Sequence, residues 1–192
     1  MNNDIANQNH WLKLVLVVFI GLGMAACSNK TRVESDLGIE DAPDWVNEGS
    51  QALDSDDGRL IHGIGMAPKM GDFSLQKSTA DDRARTEVAR VLSSYMDVVS
   101  QDYLASAGLG EGSVNEQVIT REIKNITNIR LVGARNIGRW TNEKNGDIWS
   151  IFELELDKVK GLVARAENMD PAFKEYFEKN GETLFDRFVE EK

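Results

Sequence analysis

The residue with the most distinctive chemistry in this chain is Cys27, the only cysteine among 192 residues. A single thiol has no intrachain partner for a disulfide. What it offers is a sulfur nucleophile, and its setting says where that sulfur would be used. Lys13 is followed by the unbroken apolar run Leu14 to Ile20 and then by the small-residue approach Gly23-Met24-Ala25-Ala26. The arrangement is that of a targeting segment that ends at the thiol.

Other reactive groups are sparse. If the segment before Cys27 is removed, His62 is the only imidazole left, so a histidine-metal cluster or a Ser-His-carboxylate triad would rest on it alone. His62 sits between Ile61 and Gly63 in a strand-like run, where a packed, hydrogen-bonded histidine is the simpler expectation. The chain has no G-x-S-x-G, no phosphate loop and no H-E-x-x-H. Acidic residues are plentiful, but no pair stands out as the two carboxylates of a glycan hydrolase. Gly63-Ile64-Gly65 lacks the third glycine and the βαβ setting of a dinucleotide site. The set Asp81, Asp82, Arg83, Arg85, Glu87 and Arg90 has helical spacing, and a solvated face laced with ion pairs explains it better than a catalytic cluster. No catalytic residue, metal ligand or cofactor is expected.

The segment that must position Cys27 is too short to span a bilayer. Leu14 to Ala26 would reach about 20 Å as a helix against a hydrocarbon core of roughly 30 Å, which fits a removed targeting segment. Met24-Ala25-Ala26-Cys27 resembles the lipobox of bacterial lipoproteins. The resemblance implies cleavage before Cys27, a diacylglyceryl thioether on its sulfur and a further acyl chain on the new amino terminus. Each buried methylene contributes about 0.8 kcal/mol, so several chains anchor firmly where one is marginal. Ser28, standing where inner-membrane lipoproteins commonly carry Asp, implies by the same resemblance an outer-membrane, periplasm-facing location. An ordinary secretory signal with an incidental cysteine is the alternative.

The expected plan is a signal over 1–26, a tether over 27–41, a domain over 42–170 and a helical extension over 171–192. A formal net charge of −10 with no basic block argues against nucleic acid and anionic head groups as partners. Order is expected to begin at Pro43-Asp44-Trp45-Val46, with the indole as a core-edge anchor. After the turn Ser55-Asp56-Asp57-Gly58, Arg59 to Ala67 reads as a strand, and its Gly63 and Gly65 imply close approach by a neighbouring backbone or a helix. Asp72 or Ser74 can cap a long amphipathic helix that ends at Gly108 and Gly110. Ala80, Ala84 and Ala89 are small enough to let it approach the sheet. Ser113 and Glu116 have capping-box spacing for a second helix over 113–128.

Around Asn145-Gly146, Ile129 to Thr141 and Ile148 to Leu156 read as a hairpin. Ile148, Phe152, Leu154 and Leu156 share one face of its second strand, leaving Trp149 and Ile151 on the other. Two helical segments follow, Lys158 to Glu167 and Pro171 to Lys192. The second carries an aromatic stripe from Phe173 to Val189, interrupted at Asn180-Gly181, and is read chiefly as packing on the domain. Fold class is therefore α+β: a small antiparallel sheet with long amphipathic helices on one face and a C-terminal helical tail.

Pro43-Asp44-Trp45-Val46, Gly63-Ile64-Gly65, Ala80-Asp81-Asp82-Arg83-Ala84-Arg85, Ala89 and a hairpin carrying Trp140 and Trp149 occur in that order after the lipobox. This order resembles the LPP twenty (lipoprotein of twenty kilodaltons) family over roughly residues 43–160. The resemblance implies a compact α+β domain and non-enzymatic envelope roles, including flagellar outer-membrane assembly, with no catalytic residues to carry over. Trp149 and Ile151, with Trp140 across the hairpin, form the candidate interaction surface, since apolar side chains on an outer sheet face call for a cover. That cover would be a second copy, another envelope protein, or the C-terminal aromatic stripe folded back. A regulatory partner of a peptidoglycan enzyme is the alternative function, and a glycan hydrolase stands behind it.

Overall fold

The strand Leu60–Ala67 carries glycine where its neighbour is a helix backbone, and the rest of the fold is arranged around that contact. The computed structural model describes residues 37–53, 59–108, 114–128 and 133–190. In chain order the elements are α1 (Asp44–Asn47), a 3-10 turn (Gly49–Ala52), β1 (Leu60–Ala67), α2 (Phe73–Ser106), α3 (Val114–Asn128), β2 (Arg135–Thr141), β3 (Ile148–Glu155), α4 (Leu156–Arg165) and α5 (Pro171–Glu190). The strands form one antiparallel sheet in the order β1-β3-β2. This is the α+β architecture read from the sequence.

Helix α2 starts where Asp72 Oδ1 accepts the backbone N–H groups of Ser74 and Leu75, at 2.8 and 3.1 Å. Just past its end, Gly108 takes the left-handed conformation with φ +65°. Ala80, Ala84, Val88, Leu92, Tyr95, Val99 and Tyr103 recur at three- and four-residue steps and form its buried stripe. In β1 the buried residues are Ile61, Gly63, Gly65 and Ala67, alternating with half-buried ones. A Cβ on Gly63 would lie 2.3 Å from the Ala84 carbonyl oxygen and 2.5 Å from the Val88 nitrogen. One on Gly65 would lie 2.3 Å from the Ala84 nitrogen. The helix backbone thus rests directly on the strand backbone, as the two glycines and Ala80 and Ala84 suggested; Ala89 packs at the rim of the core.

Ile61, Phe152 and Leu154 of the sheet join the α2 stripe, Ile119 and Ile123 of α3, and Val159 and Val163 of α4 in one buried cluster. Helix α5 belongs to the same cluster. Phe173 and Phe177 are at most 1% exposed, and the Phe173 ring meets Tyr103 edge-on. Asn180-Gly181 interrupts the aromatic stripe but not the helix. The helix runs through it, and Tyr95 Oη donates to the Gly181 carbonyl at 2.7 Å. A Cβ on Gly181 would come within 3.2 Å of that hydroxyl, so the glycine supplies clearance for the bond. Arg59 ties the start of β1 to the same helix through Asp186 and Glu182.

The hairpin forms as expected, though its connection spans residues 142–147. Within it the Asn142 N–H donates to the Asp147 carbonyl and Gly146 has φ +82°. Strand β2 begins at Arg135, later than expected, and a bulge between Asn136 and Gly138 turns Ile137 outward. Cys27, Ser28, the turn at 55–58, Gly110 and the Ser113 cap lie outside the described residues. No helix among the described residues is long and apolar enough to cross a membrane.

Candidate functional site

The sheet face turned away from α2 is built in three rows by strand register. His62, Glu153 and Arg135 lie side by side, then Ile64, Ile151 and Gly138, then Met66, Trp149 and Trp140. The outward phase of Trp149 and Ile151, and the position of Trp140 directly across from Trp149, match the alternation read from the sequence.

The middle row departs from expectation. Ile151, expected as part of the open interaction surface, is 2% exposed. Its neighbour in β2 is Gly138, where a Cβ would lie 3.3 Å from Ile151 Cγ2 and 4.0 Å from Trp45 Cζ2. The missing side chain leaves room for the Trp45 indole over the centre of the face. Val46 beside it is also buried, and the 3-10 turn after it contacts β1. Cover for this face therefore comes from the amino-terminal segment. The C-terminal aromatic stripe, the alternative cover, is engaged instead with Tyr95 and Tyr103 of α2. Trp140, Trp149 and Met66 remain half-buried.

The first row is a polar cluster that sequence reading found only in part. His62 Nε2 lies 3.1 Å from Glu153 Oε2, and Arg135 donates to Glu153 Oε1 from Nε and Nη2 at 3.1 and 2.6 Å. Burial works to raise the Glu153 pKa, but the hydrogen bonds from Arg135 and His62 outweigh it and hold the carboxyl below its usual value. His62 is thus the packed, hydrogen-bonded histidine expected of its strand position. Its partner was signalled by parity, since Glu153 shares the outward phase of Trp149 and Ile151.

A second cluster lies on the helix side of the sheet. Arg139 donates to Asp81 Oδ1 and Oδ2 at 2.8 and 2.6 Å, and Ser150 Oγ donates to Oδ1 at 2.7 Å. Asn136 Nδ2 in turn donates to Ser150 Oγ at 2.8 Å. Burial again acts to raise the Asp81 pKa, and the bonds from Arg139 and Ser150 bring it below the usual range. The expected solvated face holds for Asp82–Arg85 and Glu87–Arg90, which are exposed pairs three residues apart. Asp81 is the exception, 8% exposed and tied to a strand residue. It stands three residues before Ala84 and seven before Val88, in phase with the buried stripe, and that spacing was the available signal.

Both carboxylates are held ionised by fixed donors, a state suited to pinning strands and helix together and poorly suited to proton transfer. Among the described residues no buried side-chain nitrogen or oxygen lacks a hydrogen-bond partner, and no group of three His, Cys, Asp or Glu side chains could hold a metal ion. No protein-family model matches this chain, and no curated protein does.

Proposed function

We propose that this chain is a lipid-anchored protein of the bacterial envelope with a structural or assembly role. In this reading it is acylated at Cys27, sorted to the outer membrane through Ser28 and faces the periplasm. The observation that carries it is the apolar run Leu14 to Ile20 closing on Met24-Ala25-Ala26-Cys27. A place in or near the LPP twenty family is part of the same proposal and rests on the ordered motifs quoted above. The surface offered to a second copy or an envelope partner is the Trp140–Trp149 pair with Met66. Ile151 is spent inside.

Metabolic labelling with a palmitate analogue, read against Cys27→Ser, tests the anchor: label must be lost in the variant, and equal label in both overturns the reading. Ultracentrifugation tests the surface. A concentration-dependent mass that Trp149→Lys abolishes is expected, and a monomer at all concentrations in both proteins refutes association through this face.

A further inference from the structure

Large apolar side chains open to water are few among the described residues, and two of them stand together at the start of α2: Phe73 is 66% exposed and Leu75 is 57% exposed. The backbone that carries them is tied to its surroundings by hydrogen bonds. Asp72 caps this turn of helix. Gln76 Nε2 donates to the Ala67 and Gly146 carbonyls at 3.3 and 2.8 Å, and the Lys69 N–H donates to Asp147 Oδ1 at 3.1 Å. The helix start, the loop before it and the hairpin turn therefore form one end of the domain.

The chain coming from Cys27 arrives at this same end. Glu40 pairs with Lys144 in the hairpin turn, and Ile39 is fixed by two hydrogen bonds to the Asn47 side chain. Leu37, a short step earlier, is 55% exposed. From Cys27 to Leu37 even a fully extended chain reaches at most about 35 Å, while α2 carries the opposite end of the domain about 50 Å away. A tether of that length cannot hold the domain upright on its opposite end, so of the two ends the one bearing Phe73 is the one that can seat on the lipid with the helix upright.

We infer that the end of the domain bearing Phe73 and Leu75 seats on the bilayer that holds Cys27, inserting these two side chains into a zwitterionic lipid surface. This rests on the lipoprotein reading above. Around them Lys69, Lys77 and Lys144 are outnumbered by Glu40, Asp41, Asp72, Glu143 and Asp147, so apolar insertion supplies the attraction and an anionic surface would oppose it. Docking fixes the orientation of the domain: α2 stands away from the membrane and carries its far end toward the opposite side of the compartment.

The test uses the full acylated protein in phosphatidylcholine vesicles, with a nitroxide on a thiol introduced by Ser74→Cys or, as the far-end control, Gln101→Cys. Both are exposed helix positions. Oxygen and a water-soluble nickel chelate serve as collision probes. The ratio of oxygen to chelate collisions should be severalfold higher at position 74 than at 101, and Phe73→Glu with Leu75→Glu should bring it down to the value at 101. Equal, water-like ratios at the two sites overturn the inference, as does protection of position 74 from both probes, which would mean that a second copy covers it. Wild-type protein takes up no nitroxide if its only thiol is a thioether; label on the wild type overturns the lipoprotein reading and this inference with it.

Discussion

Replacing Gly63 by alanine puts one carbon where the α2 backbone already is. The new Cβ would lie 2.3 Å from the Ala84 oxygen, 2.5 Å from the Val88 nitrogen and 2.7 Å from Val88 Cγ2. These are roughly 1 Å short of van der Waals contact, and the two shortest involve backbone that no rotamer change can move. Relief requires the helix to lift from the strand over a stretch where Ala80, Ala84, Val88 and Ile61 are at most 1% exposed. Overpacking costs about 1–3 kcal/mol and sometimes more; a backbone clash belongs at the upper end. Against it stands about 0.4–1 kcal/mol from the stiffer unfolded chain. The net loss is about 2–3 kcal/mol, a fall in Tm of about 5–10 °C for a chain of this length. Thermal unfolding followed by far-ultraviolet circular dichroism reads it directly. Val88→Ala separates backbone from side-chain clash, because it removes only the longest of the three contacts. Gly63→Ala with Val88→Ala should be less stable than either single variant. An unchanged Tm for Gly63→Ala, or recovery in the double variant, would refute the backbone-on-backbone account.

Arg139→Met removes both guanidinium donors from Asp81 and leaves Ser150 as its partner. Because the Arg139 side chain is a third exposed, the loss should be about 2–3 kcal/mol in urea unfolding, below the full cost of stripping a deeply buried pair. Glu153 and Asp81 both have carboxyl pKa values lowered in the folded state, so their contribution is present above the unfolded values near 4 and lost as pH falls through the folded ones. Glu153→Gln should therefore lower Tm at neutral pH and flatten its decline on acidification, and parallel Tm-against-pH curves would count against this. Tyr95→Phe forfeits the bond to the Gly181 carbonyl at about 1 kcal/mol. In the wild type, burial raises the Tyr95 hydroxyl far above the ordinary tyrosine range, so ultraviolet titration should show one tyrosine still protonated after the others have ionised.

How much of this was legible depended on how far apart the deciding residues stand. Helix α2 could be read because its apolar residues repeat at three- and four-residue steps over nine turns or so. The strand–helix contact could be read because Gly63 and Gly65 have no other use in a strand. Alternation in β3 gave both faces of the sheet. Covering of the outer face was not legible, because α1 is a four-residue helix with no periodicity to detect, and the room for Trp45 is made by Gly138 in a distant strand. The Asp81–Arg139 pair joins residues 58 apart in sequence, and local charge spacing offered Asp81 nearer partners. The interruption of the aromatic stripe at Asn180-Gly181 had no visible reason in the sequence, because the demand for clearance comes from the Tyr95 hydroxyl on another helix.

The place of β3 at the centre of the sheet has a consequence for the order in which the molecule can be built. Chains emerge amino terminus first, and among the described residues β1 finds its only strand partner in β3, roughly 90 residues later, which at ordinary elongation rates is a wait of about 5–20 s. During that interval β1 can lean on the short 3-10 turn before it and, over its length, on α2, the helix that follows it directly. The glycines that admit α2 therefore do double service: they set the packing of the finished domain, and they give an early strand a surface to rest on before any sheet exists. Alanine at either glycine would leave the nascent strand with both an open edge and an open face, so its effect on yield should exceed its effect on the stability of protein that has already folded.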